Sequence, residues 1–422
     1  MITKLDLSYG RGSLSLSFDE DQFRVLNAAA QEDHPLSDAE IGAALDTPIE
    51  SAAIEEIFVP GDTVLIVVSD ATRATASAQI INLLVRRLIQ SGVAAQDLGV
   101  IFATGIHRAV TVEEKKELLT PFVFQRLKTI DHEPTNSAAM VYLGETPAGT
   151  PVEVNRALQD YSHVIITGAI GFHYFAGFSG GRKSICPGLA SARTVEATHI
   201  LALDFESGGR RAGVGTALLD GNAVSEECER ISEMIGPTLG INTVVDERGR
   251  AVRVYAGHWR AAHRRGCAEY LRNHSLEIPA KRDVVIASCG GSPWDINLIQ
   301  AHKTLDMAAQ ACNEGGTIVL LAECAESLGR PDFLKWFAER DSRALAAHLR
   351  EAYEVNGQTA WALLTKTERY RIHLISALAD EDVRRMRMAP AQSVAAVLAG
   401  LGSSVEGYIL PRGAAFLPVA NN

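Results

Sequence analysis

The chain has 422 residues, of which 47% are hydrophobic and 22% are charged, and its formal net charge is −11. This composition is ordinary for a globular protein, and the length is sufficient for a large core and two domains that share a cleft. The acidic balance and the lack of a long Lys/Arg run argue against a nucleic-acid binder, because phosphate contacts require a basic face.

Segments typical of strands and of helices alternate along the chain. Residues 2–26 contain short alternating stretches that predict antiparallel strands at a sheet edge. Continuous apolar runs predict strands covered on both faces at residues 63–68, 98–103, 163–167, 283–288 and 315–321. Helices are predicted after capping boxes at Ser37 and Thr111, and over residues 76–90, 189–203, 222–235 and 257–272. Further strands are predicted at residues 238–245, 251–255 and 405–409.

This alternation predicts an α/β fold with two α/β domains, whose mainly parallel sheets enclose a cofactor cleft. Residues 273–281 are polar and contain a proline, as is typical of a connection between domains. We therefore predict an N-terminal domain over residues 1–273 and a C-terminal domain over residues 281–422. The last strand is a candidate to return to the N-terminal domain.

Four polar clusters follow directly after predicted buried strands. They are residues 69–73 (Ser-Asp-Ala-Thr-Arg), residues 104–108 (Thr-Gly-Ile-His-Arg), the glycine-rich residues 171–188, and residues 290–303. Ligands of doubly wound sheets bind at the carboxyl ends of the strands. We therefore expect the four clusters to meet around one cleft.

The glycine-rich loop contains five glycines, which let the backbone approach an anion such as phosphate. It differs from the phosphate-binding loop of nucleotide triphosphatases, because Arg182 separates Gly181 from Lys183 and Ala176 replaces the earlier glycine. A purely structural glycine turn is the other interpretation. Lys183 itself is a candidate for phosphate neutralisation, for covalent attachment of a cofactor, or for a plain solvated side chain.

Two histidines are the candidates for acid/base chemistry. His107 and His173 each lie in a loop after a predicted strand, and imidazoles on opposite sides of a substrate could exchange acid and base roles. Either histidine taken alone could equally be a satisfied polar residue. His199 lies in the last turns of a predicted helix and is a candidate metal ligand, a packed residue or a helix-terminal cation.

Charged side chains in the same clusters are candidates for binding a carboxylate. Arg73 offers a bidentate fork and Lys303 a compact charge. Asp70 could orient the Arg73 guanidinium, accept hydrogen bonds from a nucleotide sugar, or cap the following helix with Arg73. By contrast, the spacing of His258, His263 and Cys267 is poor for one helical face. We interpret these three as surface or packing residues.

Taken together, these motifs resemble the nickel-pincer lactate racemase family. The resemblance covers most of the chain and rests on residues 69–73, 104–108, 173–188, His199 and 295–303. It implies two α/β domains that enclose a nickel pincer nucleotide, which is pyridinium-3-thioamide-5-thiocarboxylic acid mononucleotide carrying nickel. It also implies an isomerase that inverts C2 of a 2-hydroxy carboxylic acid by proton-coupled hydride transfer to this cofactor.

The resemblance assigns roles residue by residue. It implies a thioamide link from Lys183 to the pyridinium, nickel ligation by His199, and an alternating proton donor and acceptor pair formed by His107 and His173. The implied substrate-binding residues are Arg73, Gln300 and Lys303. The implied cofactor-binding residues are Asp70, Ala71, Thr72, Arg73, Gly180, Gly181 and Lys183.

The sequence also departs from the family pattern. Ala74 occupies a position where members often have proline, which affects loop stiffness more than chemistry. Ile299 stands where the lactate enzymes present an aromatic side chain to the substrate, which favours a larger or differently polar 2-hydroxy acid than lactate. Two alternatives are a non-catalytic member that binds the cofactor or a phosphorylated metabolite, and a conventional nucleotide-dependent transferase.

Other features of the sequence indicate the cellular location of the protein and its partners. No apolar stretch is long enough to span a membrane, residues 1–6 lack a signal-peptide core, and the six cysteines form no Cys-x-x-Cys pair. We therefore expect reduced thiols, a cytoplasmic location and no membrane partner. The expected partners are the small 2-hydroxy acid, transiently the cofactor-biosynthesis proteins, and a second copy in a homo-oligomer.

Overall fold

A computed structural model describes residues 1–27, 34–402 and 405–421 of the chain. The strands are β1 (Ile2–Tyr9), β2 (Gly12–Asp19), β3 (Phe23–Val25), β4 (Val64–Ser69), β5 (Leu98–Ala103), β6 (Lys128–Asp131), β7 (Met140–Glu145), β8 (Pro151–Asn155), β9 (His163–Ala169), β10 (Phe172–His173), β11 (Gly177–Phe178), β12 (Leu239–Val245), β13 (Ala251–Gly257), β14 (Ser275–Ile278), β15 (Arg282–Ser288), β16 (Cys312–Leu321), β17 (Arg371–Ile375), β18 (Ala389–Pro390), β19 (Gly407–Leu410) and β20 (Leu417–Ala420). The α-helices are α1 (Asp38–Asp46), α2 (Ile54–Ile57), α3 (Ser77–Gln90), α4 (Val112–Phe124), α5 (Ala157–Asp160), α6 (Ala192–His199), α7 (Ala223–Ile235), α8 (Trp259–His274), α9 (Leu298–Ala311), α10 (Ser342–Glu351), α11 (Val355–Arg369), α12 (Asp380–Arg385) and α13 (Val394–Leu401).

The chain divides into two compact units. The central unit comprises Glu32–Ala202 and Ala212–Tyr270, and the terminal unit comprises Met1–Gln31, Leu203–Arg211 and Leu271–Asn422. Each is an α/β unit with a mainly parallel sheet, so the predicted fold class is confirmed.

The division differs from the predicted domains at the start of the chain and at Leu203–Arg211, which both belong to the terminal unit. The first strands pack in the terminal unit because β3 pairs in parallel with β19, where Phe23 lies opposite Gly407. The strand predicted at residues 405–409 is β19, which pairs with β15 and β3 in the terminal unit rather than with a strand of the central unit. The predicted start of the connection, near residue 273, lies close to the observed boundary at Leu271.

The central sheet has the strand order β13-β12-β9-β4-β5-β6, and its neighbours are parallel except for the β12/β13 pair. From β4 the chain builds outward through β5 and β6, and from β9 it builds in the other direction through β12 and β13. The sheet order therefore reverses between β4 and β9. In open α/β sheets, ligands bind at such a switch point, beyond the carboxyl ends of the strands.

Local sequence signals account for several helices of the central unit. Both predicted capping boxes form: Ser37 and Glu40 cap α1, and Thr111 and Glu114 cap α4. The helices pack on the apolar strands, so that Leu84 of α3 joins one core cluster with residues of β4 and β5. Burial of these apolar faces is the main stabilisation of the unit.

The terminal sheet has the order β18-β17-β16-β15-β19-β3, and its strands are parallel. Its core includes Leu7 and Phe18 of the β1/β2 hairpin together with Ile286 of β15. Strand β17 has no counterpart among the predicted strands, and β20 follows the strand predicted at residues 405–409. No helix in the described residues is long and apolar enough to cross a membrane.

Candidate functional site

Three of the four polar clusters lie at the carboxyl edge of the central sheet. Asp70 directly follows β4, residues 104–108 follow β5, and the glycine-rich loop follows β9. Since β5, β4 and β9 are consecutive neighbours, these loops emerge side by side next to the switch point. The fourth cluster follows β15 and belongs to the terminal unit.

Asp70 and His107 form a hydrogen-bonded pair. The Nδ1–H of His107 donates to Oδ2 of Asp70 at 2.8 Å, while the backbone N–H of Thr72 donates to Oδ1 at 2.8 Å. Burial acts to raise the pKa of the Asp70 carboxyl, but hydrogen bonds from His107 and Thr72 outweigh it and hold this pKa below the usual value. The carboxylate therefore fixes the tautomer of His107, whose side chain is 46% exposed, and leaves Nε2 to face a ligand.

Arg73 was one of the partners that the sequence left open for Asp70. Its carboxylate bonds His107 and Thr72, and Arg73 acts on it only through the longer-range attraction of its charge. Ala71, Thr72 and Arg73 are exposed at the mouth of this loop. Contact of these residues with a cofactor or substrate remains a prediction.

The loop of His107 is joined to the loop of Lys183 through the backbone. The N–H of Gly105 donates to the carbonyl of Gly188 at 2.9 Å, and the N–H of Gly188 donates to the carbonyl of Lys183 at 3.0 Å. Gly105 has φ +55°, and a Cβ there would approach the Pro187 carbonyl oxygen to 3.3 Å. A larger residue at this position would strain the link.

Phe175 brings three predicted site residues together. Its ring, which is 5% exposed, lies edge-on to His173 with centroids 4.6 Å apart and to His199 with centroids 5.1 Å apart. The Nζ atom of Lys183 lies 5.6 Å from the centre of the same ring. The short β10/β11 hairpin places His173 and Phe175 in this arrangement. No sequence pattern singled out Phe175, because a buried aromatic residue is ordinary in a core.

His199 is buried at the end of α6. Burial, followed by the charge of Lys183, lowers its pKa to about 3, so the imidazole is neutral at physiological pH. Its Nδ1 lies 3.2 Å from the hydroxyl of Thr198. A neutral imidazole is the form that ligates metal ions.

Gly180 and Gly181 are enclosed by protein atoms. Both have positive φ, and a Cβ on Gly181 would lie 2.5 Å from Cγ of His263. The N–H of Gly181 donates to Oδ1 of Asn242 at 2.8 Å. Close packing therefore requires these glycines, and their predicted contact with a cofactor remains a prediction.

Gln300 and Lys303 lie one turn apart on α9 in the terminal unit. The Nζ of Lys303 donates to Oε1 of Gln300 at 2.6 Å. Asn297 caps the helix, accepting from the N–H of Gln300 at 3.0 Å. The cap and the pair give both side chains a defined place on one helix face, and their approach to the central unit remains a prediction.

The described residues contain no group of three or more His, Cys, Asp or Glu side chains arranged to hold a metal ion. The resemblance requires only one nitrogen ligand from the protein, with the remaining ligands supplied by the pincer. The neutral imidazole of His199 can supply that nitrogen ligand. The amine of Lys183, the implied point of covalent attachment, contacts the same Phe175 ring as His199.

Comparisons with known proteins show which family the chain resembles. Residues 9–209 match the lactate racemase N-terminal domain, and residues 278–405 match the lactate racemase C-terminal domain. The lactate racemase of Lactiplantibacillus plantarum is 30% identical over 340 residues, which are 80% of this chain and 78% of that protein. The lactate racemase of Thermoanaerobacterium thermosaccharolyticum is 28% identical over 341 residues, with the same coverage of 80% and 78%.

Solved structures show the same fold. The structure of the lactate racemase apoprotein from Thermoanaerobacterium thermosaccharolyticum has a TM-score of 0.89 at 25% identity, covering 99% of this chain and 100% of that one. A crystal structure of a Thermotoga maritima protein has a TM-score of 0.67 at 20% identity, covering 93% and 100%. The second likeness concerns the fold alone.

Proposed function

Since the chain belongs to the lactate racemase family and is thus an isomerase of the racemase class, we propose that it inverts C2 of a 2-hydroxy carboxylic acid. We further propose that it uses a nickel pincer nucleotide for this reaction. The single observation that carries the proposal is the convergence of His173, Lys183 and His199 on one buried phenylalanine ring.

Two residues of the chain would hold the cofactor, one through a covalent bond and the other as a metal ligand. The amine of Lys183 would form the thioamide bond, and the neutral imidazole of His199 would ligate nickel. Residues 70–73 and the glycines at 180 and 181 would contact the nucleotide. When bound, the cofactor supplies the site that accepts a hydride and returns it.

The histidines would move the hydroxyl proton of the substrate. Removal of the α-proton alone would build carbanion charge next to a carboxylate, which is costly without strong stabilisation. If a histidine takes the hydroxyl proton as hydride leaves C2 for the cofactor, C2 becomes a neutral ketone carbon and no carbanion forms. His107, whose Nδ1–H is held by Asp70, presents Nε2 for that proton. Return of hydride to the opposite face, with a proton from His173, would invert the centre.

The substrate carboxylate would be bound by three side chains. Arg73 is exposed beside Asp70, and Gln300 and Lys303 form a hydrogen-bonded pair on α9. Ile299 next to this pair offers an aliphatic surface instead of an aromatic ring. This favours a larger or differently polar acid than lactate.

The test is to produce the protein together with the cofactor-making enzymes. Intact mass should then show an adduct on Lys183, metal analysis should show nickel, and chiral chromatography should show racemisation of one enantiopure 2-hydroxy acid. His107→Ala and His173→Ala should each keep the adduct and lose on the order of 10²- to 10⁴-fold in rate. Full turnover in both variants would refute the acid/base roles. An adduct without turnover on any acid would instead favour the non-catalytic alternative.

We also propose a cellular location and partners for the protein. The six cysteines are buried and unpaired in disulfides, which suits a reducing cytoplasmic location. Delivery of the cofactor implies transient contact with its biosynthesis proteins. Gel filtration with light scattering of the purified protein would test the proposed homo-oligomer.

A further inference from the structure

Buried polar side chains hold the backbone of the glycine-rich loop between Phe175 and Gly181. These side chains are Asn222, Arg182, His263 and Asn242, and each is at most 3% exposed. The side-chain amide of Asn222 donates to the Phe175 carbonyl at 2.9 Å, and Nη2 of Arg182 donates to the Ala176 carbonyl at 2.7 Å. The Nε2–H of His263 donates to the Ser179 carbonyl at 2.9 Å, and Oδ1 of Asn242 accepts from the Gly181 N–H at 2.8 Å. The proton chemistry proposed above uses none of them.

Arg182 differs from the others because it is a buried cation. It is 1% exposed, its Nε donates to the Ser225 carbonyl at 3.2 Å, and its Nη2 donates to the Ala176 carbonyl. Its Nη1 lies 3.5 Å from Nε2 of His263, which already donates its proton to Ser179. No carboxylate is among its hydrogen-bond partners in the described residues, and its direct hydrogen bonds are made to backbone carbonyls.

Ala176 connects this guanidinium to His173. The carbonyl of Ala176 accepts from Arg182, and the N–H of Ala176 donates to Nδ1 of His173 at 3.3 Å. An Nδ1 atom that accepts a hydrogen bond carries no proton, so the neutral ring must carry its proton on Nε2. The N–H of Ala176 therefore selects the tautomer of neutral His173 and, with the rings of Tyr174 and Phe175, orients its imidazole.

We infer that Arg182 is a positioning residue that sets the orientation and tautomer of His173 through the backbone of Ala176. This inference rests on the proposed function for its catalytic meaning, but the tautomer itself is a property of the protein without cofactor. Arg182 also precedes Lys183 in the chain, so one buried guanidinium ties the acid/base histidine to the anchoring lysine.

The direct test is the protonation of the His173 ring. Long-range ¹H–¹⁵N spectra of the ¹⁵N-histidine-labelled protein would be recorded at pH 8, above the ordinary imidazole pKa of about 6.5, with His173 assigned from His173→Gln. The unaltered protein should show an unprotonated Nδ1 and a protonated Nε2. Arg182→Met removes the donors at similar length and should shift His173 toward the other tautomer or toward exchange between the two.

The matched control is Ser232→Ala. The Ser232 hydroxyl donates to the Arg182 carbonyl at 3.2 Å, so its loss loosens the same loop without touching the link through Ala176. The control should leave the His173 signals unchanged. If Arg182→Met does not fold, Arg182→Lys, which keeps the charge but loses the fork, should shift the signals in the same direction. Unchanged signals in the Arg182 variants, or an equal shift in Ser232→Ala, would overturn the inference.

Kinetics separate this inference from the proposed function. In the cofactor-loaded enzyme, Arg182→Met should keep the mass adduct on Lys183 and lose on the order of 10²-fold in kcat with little change in KM. If Arg182→Met changes the tautomer of His173, but neither the unaltered protein nor any variant shows racemase activity, the positioning role stands and the proposed function is refuted. Normal kcat in Arg182→Met would overturn the catalytic meaning of the link.

Discussion

The two units share one architecture and use the carboxyl edges of their sheets differently. In the central unit, Asp70 at this edge directs its carboxylate to the imidazole of His107. In the terminal unit, Asp295 after β15 directs its carboxylate to the backbone N–H groups of Gly10 at 2.7 Å and Glu323 at 3.1 Å. The first carboxylate orients an imidazole, and the second joins two loops of the terminal unit. A carboxylate after a parallel strand therefore bonds a side chain in one unit and the backbone in the other.

Buried charge is also compensated differently in the two units. Arg182 of the central unit donates hydrogen bonds to backbone carbonyls. In the terminal unit, Oδ1 of Asp306 lies 2.6 Å from Nζ of Lys366 and 3.1 Å from Nη2 of Arg210. Burial acts to raise the pKa of Asp306, but the charges of Arg210 and Lys366 outweigh it and lower this pKa to about 2. The terminal unit thus contains a buried ion cluster, and the loop of the central unit contains a hydrogen-bonded cation.

The largest expected effect is at Lys183. Lys183→Arg keeps a positive charge but has no amine that can form a thioamide, so we expect no adduct and no racemisation after production with the cofactor-making enzymes. Intact mass and chiral chromatography measure both. Arg210→Lys in the terminal unit is the control and should keep the adduct. An unchanged adduct in Lys183→Arg would move the attachment to another residue.

The second effect concerns the ion cluster of the terminal unit. Asp306→Ala leaves the amine of Lys366 buried without its counter-ion, and we expect a loss of about 3–5 kcal/mol in the free energy of unfolding. Glu314→Ala breaks the exposed pair with Arg369 and should cost about 0–1 kcal/mol. Urea denaturation measures both. Equal losses in the two variants would show that the cluster contributes no more than a surface pair.

Local signals in the sequence predicted much of the fold and the identity of the candidate site residues. The apolar run at β4 and the capping box at Ser37 depend on neighbouring residues only, and both formed as predicted. Placement directly after β4 and β5 likewise put Asp70 and His107 at one sheet edge. Such features are encoded within a few residues of each other.

Contacts between distant parts of the chain were not predictable in this way. The pairing of Phe23 with Gly407 moves the first strands into the terminal unit, and no local pattern encodes it. The sequence did predict correctly that His258, His263 and Cys267 are surface or packing residues, since His258 is exposed and the other two are buried. The contact of His263 with the glycine-rich loop depends on the packing of α8 and has no sequence signature.

The third prediction concerns the pH dependence of stability. In the central unit, burial lowers the pKa of His132 to about 4. Burial and the charge of Arg182 lower the pKa of His263 to about 3. Burial and the charges of Lys366 and Lys303 lower that of His302 in the terminal unit to about 3. Below the ordinary pKa of about 6.5, the unfolded chain binds protons that the folded chain does not, so stability falls as the pH falls.

The size of this loss should differ between the units. Each histidine contributes at most about 1.4 kcal/mol per pH unit, so between pH 6.5 and 5 the central unit should lose more protection from hydrogen exchange than the terminal unit. His132→Gln should flatten the pH dependence of the central unit, while His258→Gln, at an exposed position, should leave it unchanged. A pH-independent stability over this range would mean that the buried rings are protonated in the folded protein.

The smallest expected effect is at the Gln300/Lys303 pair, and it tests whether the two units act on one substrate. Lys303→Met removes one charged donor to a carboxylate, worth about 1.5–3 kcal/mol, so kcat/KM should fall about 10- to 100-fold. The loss should appear mainly in KM, because the carboxylate keeps its charge throughout the reaction and is therefore bound alike in ground and transition states. Lys335→Met, an exposed lysine of the same unit, is the control and should have no effect. A loss confined to kcat would instead show that Lys303 interacts mainly with the transition state, and normal kinetics would confine the reaction to residues of the central unit.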